Sequence, residues 1–261
     1  MNLNKQQMLD FEQNGYVIVP SLFNEEEMKA LNEYSRHQMG LLGEEGHATI
    51  DSEGKKSKIC LWDHPEDNLF GHFSRSERLV NNAQALLDGD EIYHWHSKVM
   101  IKEPKVGGAW EWHQDYGYWY SGNCLFPDLI SCMVAIDKAT VENGCLQVLK
   151  GSHKLGRIDH IQIGTQTGAD PERVAEAEKV LEKIHVELNP GDTLFFHSNL
   201  LHCSSPNTSE NPRWCLISCY NKRSNSPYGP EGRHGHCKYT PLTTVPDQAI
   251  MAKAKEELAS L

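Results

Sequence analysis

Four residues stand out by type and spacing: His113, Asp115, His202 and Arg213. The first two sit in Trp112-His113-Gln114-Asp115. In an extended segment residues i and i+2 share a face, so this spacing predicts a strand with imidazole and carboxylate both turned inward. Such a pair is two-thirds of a 2-His-1-carboxylate set, which grips iron(II) from one side and leaves the opposite positions open. By itself H-x-D is a common pair, so the assignment depends on a second histidine arriving from elsewhere. Asn189-Pro190-Gly191-Asp192 reads as a turn into a strand from Thr193 to His197, with a bend before His202. His202 is the expected third ligand. His197 competes for that role and is read instead as an ordinary strand residue. Arg213 opens the apolar run RWCLISCY at 213–220. A guanidinium stays charged and matches a carboxylate bidentately. Beside open metal positions it would hold the far carboxylate of a keto acid whose near end chelates the metal, leaving a place for O2. That combination points to 2-oxoglutarate as co-substrate. Ser204, two residues after His202, offers a hydroxyl to the same carboxylate.

These groups lie far apart along the chain, so the fold must bring them together. Asn4 is placed to cap a helix over 5–14 that Gly15 stops. Residues 16–19 read as a short strand ended by Pro20, and Asn24 with Glu27 forms a capping pair for a helix reaching about 38. Residues 40–58, rich in Gly, Glu, Ser and Lys, read as a loop. A third helix is expected over 76–87. From 91 the pattern changes to β, with strands at 91–102, 128–137, 144–149, 185–189, 192–197 and 213–221. One helix interrupts them: Asp170 caps it, Pro171 fits its first turn, and Val174, Val180, Leu181 and Ile184 recur on one face. The tail from 247 reads as helical. No linker divides the chain, so one domain over 1–261 is expected, with a helical part at about 1–90, a β core at about 91–225 and a helical tail. The class is mainly β with flanking helices, a sandwich or jelly roll.

The formal charge of −11 argues against a nucleic-acid footprint and against an anionic membrane surface. No apolar run approaches the ~18 residues of a membrane span, and MNLNKQQMLD lacks an apolar signal core. The eight cysteines form no C-x-x-C pair, and several lie in apolar runs such as LISCMVAI and CLISCY. They read as buried thiols in a reducing compartment, and the expected location is cytoplasmic. A small-molecule partner is the expectation that remains; nothing in the sequence sets an oligomeric state.

Four motifs, in order, are similar to the phytanoyl-CoA dioxygenase family: FEQNGYVIVP at 11–20, WHQD at 112–115, NGCLQVLKGSHK at 143–154, and GDTLFFH from 191 through His202 and Arg213. The resemblance spans nearly the whole chain. It implies a double-stranded β-helix of cupin-like type and the coupling of 2-oxoglutarate decarboxylation to C–H hydroxylation, with Fe(II), 2-oxoglutarate and O2. It implies His113, Asp115 and His202 for iron, and Arg213 and Ser204 for the co-substrate. It further implies Lys58, Lys98 and His96 in the co-substrate pocket, with Met100 on the same strand face as Lys98. Two departures stand out. Lys150 precedes Gly151-Ser152-His153 where the family often has proline, which changes a turn, and 143–154 is read as a loop that sets strand register. Val134 stands where acyl-CoA members carry tryptophan, which argues against a long acyl-CoA substrate.

The run Trp110, Trp112, Tyr116, Tyr118, Trp119, Tyr120 surrounds the first motif. Trp119 and Tyr116 are the expected pocket aromatics, and such a wall would receive an apolar or cationic small molecule. A halogenase is disfavoured, since Asp115 fills the place of the halide. Two other readings stay open: a binding scaffold without turnover, and a cupin-type isomerase or hydrolase using zinc or manganese.

Overall fold

The structure, a computed structural model, describes residues 2–42, 47–51, 54–228 and 238–261. Asn4 and Gln7 exchange side-chain and backbone hydrogen bonds of 2.9 Å and open helix α1 (Lys5–Asn14). Gly15, at φ 81°, ends it by donating to Phe11. Any Cβ there would also meet the His153 ring at 2.4 Å, so glycine is required twice over. Strand β1 (Tyr16–Val19) follows. Asn24 and Glu27 form a second reciprocal cap for α2 (Glu25–Leu42). Then come β2 (His47–Ile50), β3 (Lys56–Trp62), α3 (Leu69–Arg75), α4 (Glu77–Leu86) and the long β4 (Ile92–Lys102). The centre of the chain holds β5 (Trp110–His113), α5 (Asp115–Trp119), β6 (Leu129–Ala135), β7 (Leu146–Leu149), the hairpin β8 (His160–Ile163) and β9 (Gln166–Ala169), and α6 (Pro171–Val180). Strands β10 (Lys183–Val186), β11 (Thr193–His197), β12 (His202–Ser204) and β13 (Arg213–Lys222) and helix α7 (Ala249–Leu258) complete it.

The strands form the jelly roll of a double-stranded β-helix. A seven-stranded antiparallel sheet runs β1-β11-β6-β13-β4-β3-β2, and a four-stranded one runs β10-β7-β12-β5. The inner faces meet in one apolar cluster that includes Met100, Met133, Leu146, Val148, Phe196 and Ile217. On its outer face the large sheet turns Val99, Cys132, Val134, Phe195, Trp214 and Leu216 toward α1 to α4 and α7. The central strands are therefore buried on both faces and read as continuous apolar runs, so their inward parity is invisible in the sequence. Helix α6 covers a smaller cluster beneath the small sheet. No helix among the described residues is long and apolar enough to cross a membrane.

Several expectations change. Within 40–58, residues 43–46 and 52–53 lie outside the described set, but the rest contains β2 and most of β3's first half. This hairpin sits at the sheet edge, where lysines on one face are tolerated and disguise a strand as a loop. Helix α3 was hidden by its length of one or two turns; Asn68 caps it, accepting from Gly71 at 2.9 Å. Helix α6 stops at Val180, because Leu181 is extended, and Ile184 belongs to β10, paired with Val148. The short β8-β9 hairpin and β12 were not foreseen.

Candidate metal centre

His113 is the last residue of β5, but Asp115 is not on that strand: it is the first residue of α5. Gln114 between them is still extended (φ −114°, ψ 133°), so the alternation of the strand carries through it and puts both donors on one side before the helix begins. His202 opens β12 directly opposite His113 in the ladder. One ligand atom from each of the three lies within 4.8 Å of the others, and all three residues are buried. The His113 and His202 ring centroids are 4.1 Å apart, and His202 Nε2 is 3.9 Å from Asp115 Oδ1.

The backbone decides which nitrogen each ring offers. His113 Nδ1 lies 2.7 Å from the Glu111 carbonyl, and His202 Nδ1 lies 2.9 Å from the Leu200 carbonyl. A carbonyl only accepts, so both Nδ1 atoms carry the proton and both Nε2 lone pairs are available to a metal. Burial holds both imidazoles below their ordinary pKa; for His113 the neighbouring His202 adds to this, and for His202 Asp115 offsets part of it. Neutral imidazole is the form that ligates. Burial works against the Asp115 carboxylate, but Lys98, the two histidines and the Ser131 hydroxyl outweigh it and hold it below the usual range. Ser131 donates to Asp115 Oδ2 at 2.6 Å, leaving Oδ1 for the metal. Two imidazoles and an ionised carboxylate, each fixed by a hydrogen bond, fit iron(II).

Gln114, between the ligands, is 0 % exposed and fully bonded. Its Nε2 donates to Gly156 and Asn199 at 2.8 Å each, and its Oε1 accepts from Ile158 at 2.7 Å. Its backbone N–H donates to His160 Nε2 at 3.0 Å. The His160 ring in turn occupies the space beside Gly117, where any Cβ would fall 2.0 Å from it. These bonds lock the turn that carries His113 and Asp115 to the loop before His202.

The triad lies in a cavity of about 290 Å³. Of the expected residues, Arg213, Ser204, Lys98, His96, Met100 and Trp119 line it with the triad. Arg213 is 4 % exposed; its Nη2 donates to the Gly144 carbonyl at 2.8 Å, its Nε has no partner, and no carboxylate of the described residues pairs with it. A buried guanidinium with an unused donor fits an anion arriving from outside, as the co-substrate's far carboxylate would. Three expectations place differently. Lys58 is on β3, whose Ile59 and Leu61 line the cavity, so the pleat turns Lys58 to the opposite face. Val134 is on the outer face of β6, packed in the helix-side core, while its neighbour Met133 faces the cavity. The Tyr116 hydroxyl donates to the Cys124 and Leu125 carbonyls, away from the metal. Tyr118 lines the cavity instead, its hydroxyl donating to Thr167 of the β8-β9 hairpin at 2.5 Å. Parity counted from Arg213 along β13 would have found Ile217. Nothing in β6, an apolar run broken only by Ser131, announces that Met133 faces the cavity or that Ser131 holds a ligand.

The phytanoyl-CoA dioxygenase (PhyH) family model matches residues 11–215. The chain belongs to the phytanoyl-CoA dioxygenase family. L-proline trans-4-hydroxylase of Streptomyces griseoviridis is 27 % identical over 237 residues, covering 84 % of this chain and 87 % of that protein. Ectoine dioxygenase of Halomonas elongata is 27 % identical over 270 residues, covering 95 % and 78 %. The crystal structure of EctD from S. alaskensis with bound Fe overlays with a TM-score of 0.78 at 21 % identity, covering 94 % of this chain and 88 % of that one, and shares its fold. With the family and the triad together, this member is an iron(II)- and 2-oxoglutarate-dependent dioxygenase acting on a small molecule.

Proposed function

We propose that this dioxygenase hydroxylates a C–H bond of a small molecule, with His113, Asp115 and His202 holding iron and Arg213 and Ser204 holding the far carboxylate of 2-oxoglutarate. The observation that carries the reading is the convergence of three fixed ligand atoms within 4.8 Å in a cavity whose wall also holds a buried arginine with an unused Nε donor. When bound, iron(II) with 2-oxoglutarate activates O2, releasing succinate and CO2 as oxygen is inserted into substrate. The residues do the rest. Glu111 and Leu200 keep the Nε2 lone pairs presented, Ser131 fixes the carboxylate, and Arg213 sets the co-substrate's direction. Met100, Trp119, Tyr118, Met133 and Ile217 give the substrate a largely apolar wall that keeps water from the reacting bond. His96 meets Trp119 edge-on at 5.6 Å and steadies that wall. We place the whole reaction in one domain and in the cytoplasm, in keeping with seven described cysteines that are all free thiols; Cys237 lies outside the described residues.

The named relatives act on L-proline and ectoine, and compact molecules of that scale are the first substrates to screen. Iron(II) and 2-oxoglutarate added without oxygen should give a weak visible charge-transfer band, and aerobic screening should give substrate-dependent succinate. A protein properly loaded with iron that gives no band, and no succinate with any candidate, would return the cavity to an isomerase or a scaffold.

A further inference from the structure

Lys98 is the charged residue of the cavity left without a task by the metal and the co-substrate's far carboxylate. It projects from the inward face of β4 between His96 and Met100, opposite Ile217 of β13. Arg213 stands four residues back along β13, opposite Lys102. At about 3.4 Å per residue the two positions are roughly 14 Å apart along the strands. Lys98 therefore belongs to the metal end of the cavity, and its Nζ is 4.0 Å from Asp115 Oδ1. That is an ion pair too long for a hydrogen bond, and no other described group bonds to the ammonium.

Charge balance then has a consequence. Asp115 is the only carboxylate among the described residues lining the cavity. Iron(II), Arg213 and Lys98 bring four positive charges; Asp115 and the 2-oxoglutarate dianion bring three negative ones. One positive charge is left over, on Lys98, in a space walled by Ile59, Leu61, Met100, Met133 and Ile217. A buried charge without a counter-charge is costly. Lys98 faces this space with Asp115, itself spent on the metal, as its nearest described counter-charge at 4.0 Å. Lys102, behind Arg213 and outside the lining, instead has the Ser205 carbonyl as a hydrogen-bond partner.

We propose that Lys98 anchors an anionic group of the small-molecule substrate, carboxylate or phosphonate in type, and so selects substrates that carry such a charge near the bond to be oxidised. This rests on the iron and 2-oxoglutarate reading of the cavity. A cationic substrate, which the aromatic wall alone would admit, is repelled by the same residue. The cavity's size restricts the choice to compact molecules once the co-substrate is in place.

The test is anaerobic calorimetry on iron(II)-loaded protein saturated with 2-oxoglutarate, so that binding is read without turnover. The probes are acetate, isobutyrate, benzoate and methylphosphonate, each beside its uncharged amide or ester. At least one anion should bind ten or more times tighter than its uncharged partner. Lys98→Met should erase that preference and Lys98→Arg should keep it, with 2-oxoglutarate affinity within threefold of wild type in both. Wild type that prefers no anion, or Lys98→Met that keeps the preference, overturns the proposal. Lys98→Met that weakens 2-oxoglutarate tenfold assigns the lysine to the co-substrate and overturns it as well. Wild type that does not bind 2-oxoglutarate at all brings down the reading of the cavity, and the proposal falls with it.

Discussion

Two pairs of histidines lie close together in this protein, and only one is built to hold a metal. His113 and His202 have ring centroids 4.1 Å apart, and His153 and His197 have theirs 5.4 Å apart. In the first pair each Nδ1 proton goes to a carbonyl two residues upstream, and both Nε2 atoms face Asp115. In the second the backbone takes different atoms: His153 Nε2 donates to the Glu12 carbonyl, and His197 Nδ1 accepts from the Asn199 N–H. No carboxylate joins them at ligand spacing among the described residues. His153 instead packs beside Gly15 and ties α1 to the end of β11. His160 sharpens the point. Its Nδ1 also lies near a carbonyl two residues upstream, at 3.0 Å, but its Nε2 is consumed by Gln114. Nearness makes no ligand; what matters is which lone pair the backbone leaves over.

The largest effect should come from deleting a ligand on one side of this comparison and its counterpart on the other. His202→Ala should lower succinate formation by at least about 10³-fold, since enzymic rate enhancements begin near 10⁶, and should lower bound iron measured by metal analysis. His197→Ala should keep iron content and stay within about threefold in turnover, its cost appearing in thermal stability. Equal losses of iron in both variants would mean that the second pair also binds metal and that the comparison is mistaken.

A middle-sized effect should follow from Gln114→Leu, which keeps bulk but removes the bonds to Gly156, Ile158 and Asn199. Groups that orient ligands are typically worth 10–100-fold in metal affinity or activity. A loss in that range, with iron affinity falling and the KM for 2-oxoglutarate unchanged, is expected. A matching fall in melting temperature with normal iron affinity would show Gln114 to be a strut for the loop and nothing more.

The second pair should also set part of the acid limit. Burial, then His153 and Lys222, push His197 down to about 4. Its folded pKa is thus below its unfolded one, near 6.5. As pH falls below 6.5 the unfolded chain takes the proton and the native chain does not, so stability drops between 6.5 and 4 and levels off below. The effect is at most about 3 kcal/mol. Melting temperatures of wild type and His197→Gln across that window should converge at acid pH. Parallel curves would mean that His197 titrates normally.

How much of this could be read from the residues depends on the kind of signal. The triad and the arginine in its cavity were legible because few residue types do that chemistry and because the common H-x-D pair was supported by His202 and Arg213 further along the chain. The helix caps at Asn4, Asn24 and Asp170 were legible because capping is local. The convergence of His113 and Asp115 follows the expected alternation through the extended Gln114, although Asp115 itself is the first residue of a helix and not part of the strand. The cavity wall was not legible where strands are buried on both faces: Val134 and Met133 are equally apolar, and only the ladder assigns Met133 inward. Ser131 and Gln114 were hidden because a small hydroxyl in an apolar run and an amide between two ligands acquire meaning only through partners distant in sequence.

Lys58 gives the smallest expected effect and the sharpest check on that wall. It resembles a co-substrate lysine by position, yet Ile59 and Leu61 take the inward face of β3. A one-residue slip of β3 against β4 would exchange the two sets, because the side-chain period is two. The register that opposes this pairs Ile59 with Met100 and Leu61 with Lys98, joining cavity residues across the strands. Lys58→Met should therefore change the KM for 2-oxoglutarate by less than about twofold, where Arg213→Met should raise it by well over tenfold, a charge-assisted bidentate pair being among the stronger contacts a cavity can lose. A large rise for Lys58→Met would place its ammonium in the cavity and require β3 to shift register when the co-substrate binds. The same shift would then carry Leu61 away from Lys98 and leave both lysines facing inward at once, Lys58 from β3 and Lys98 from β4.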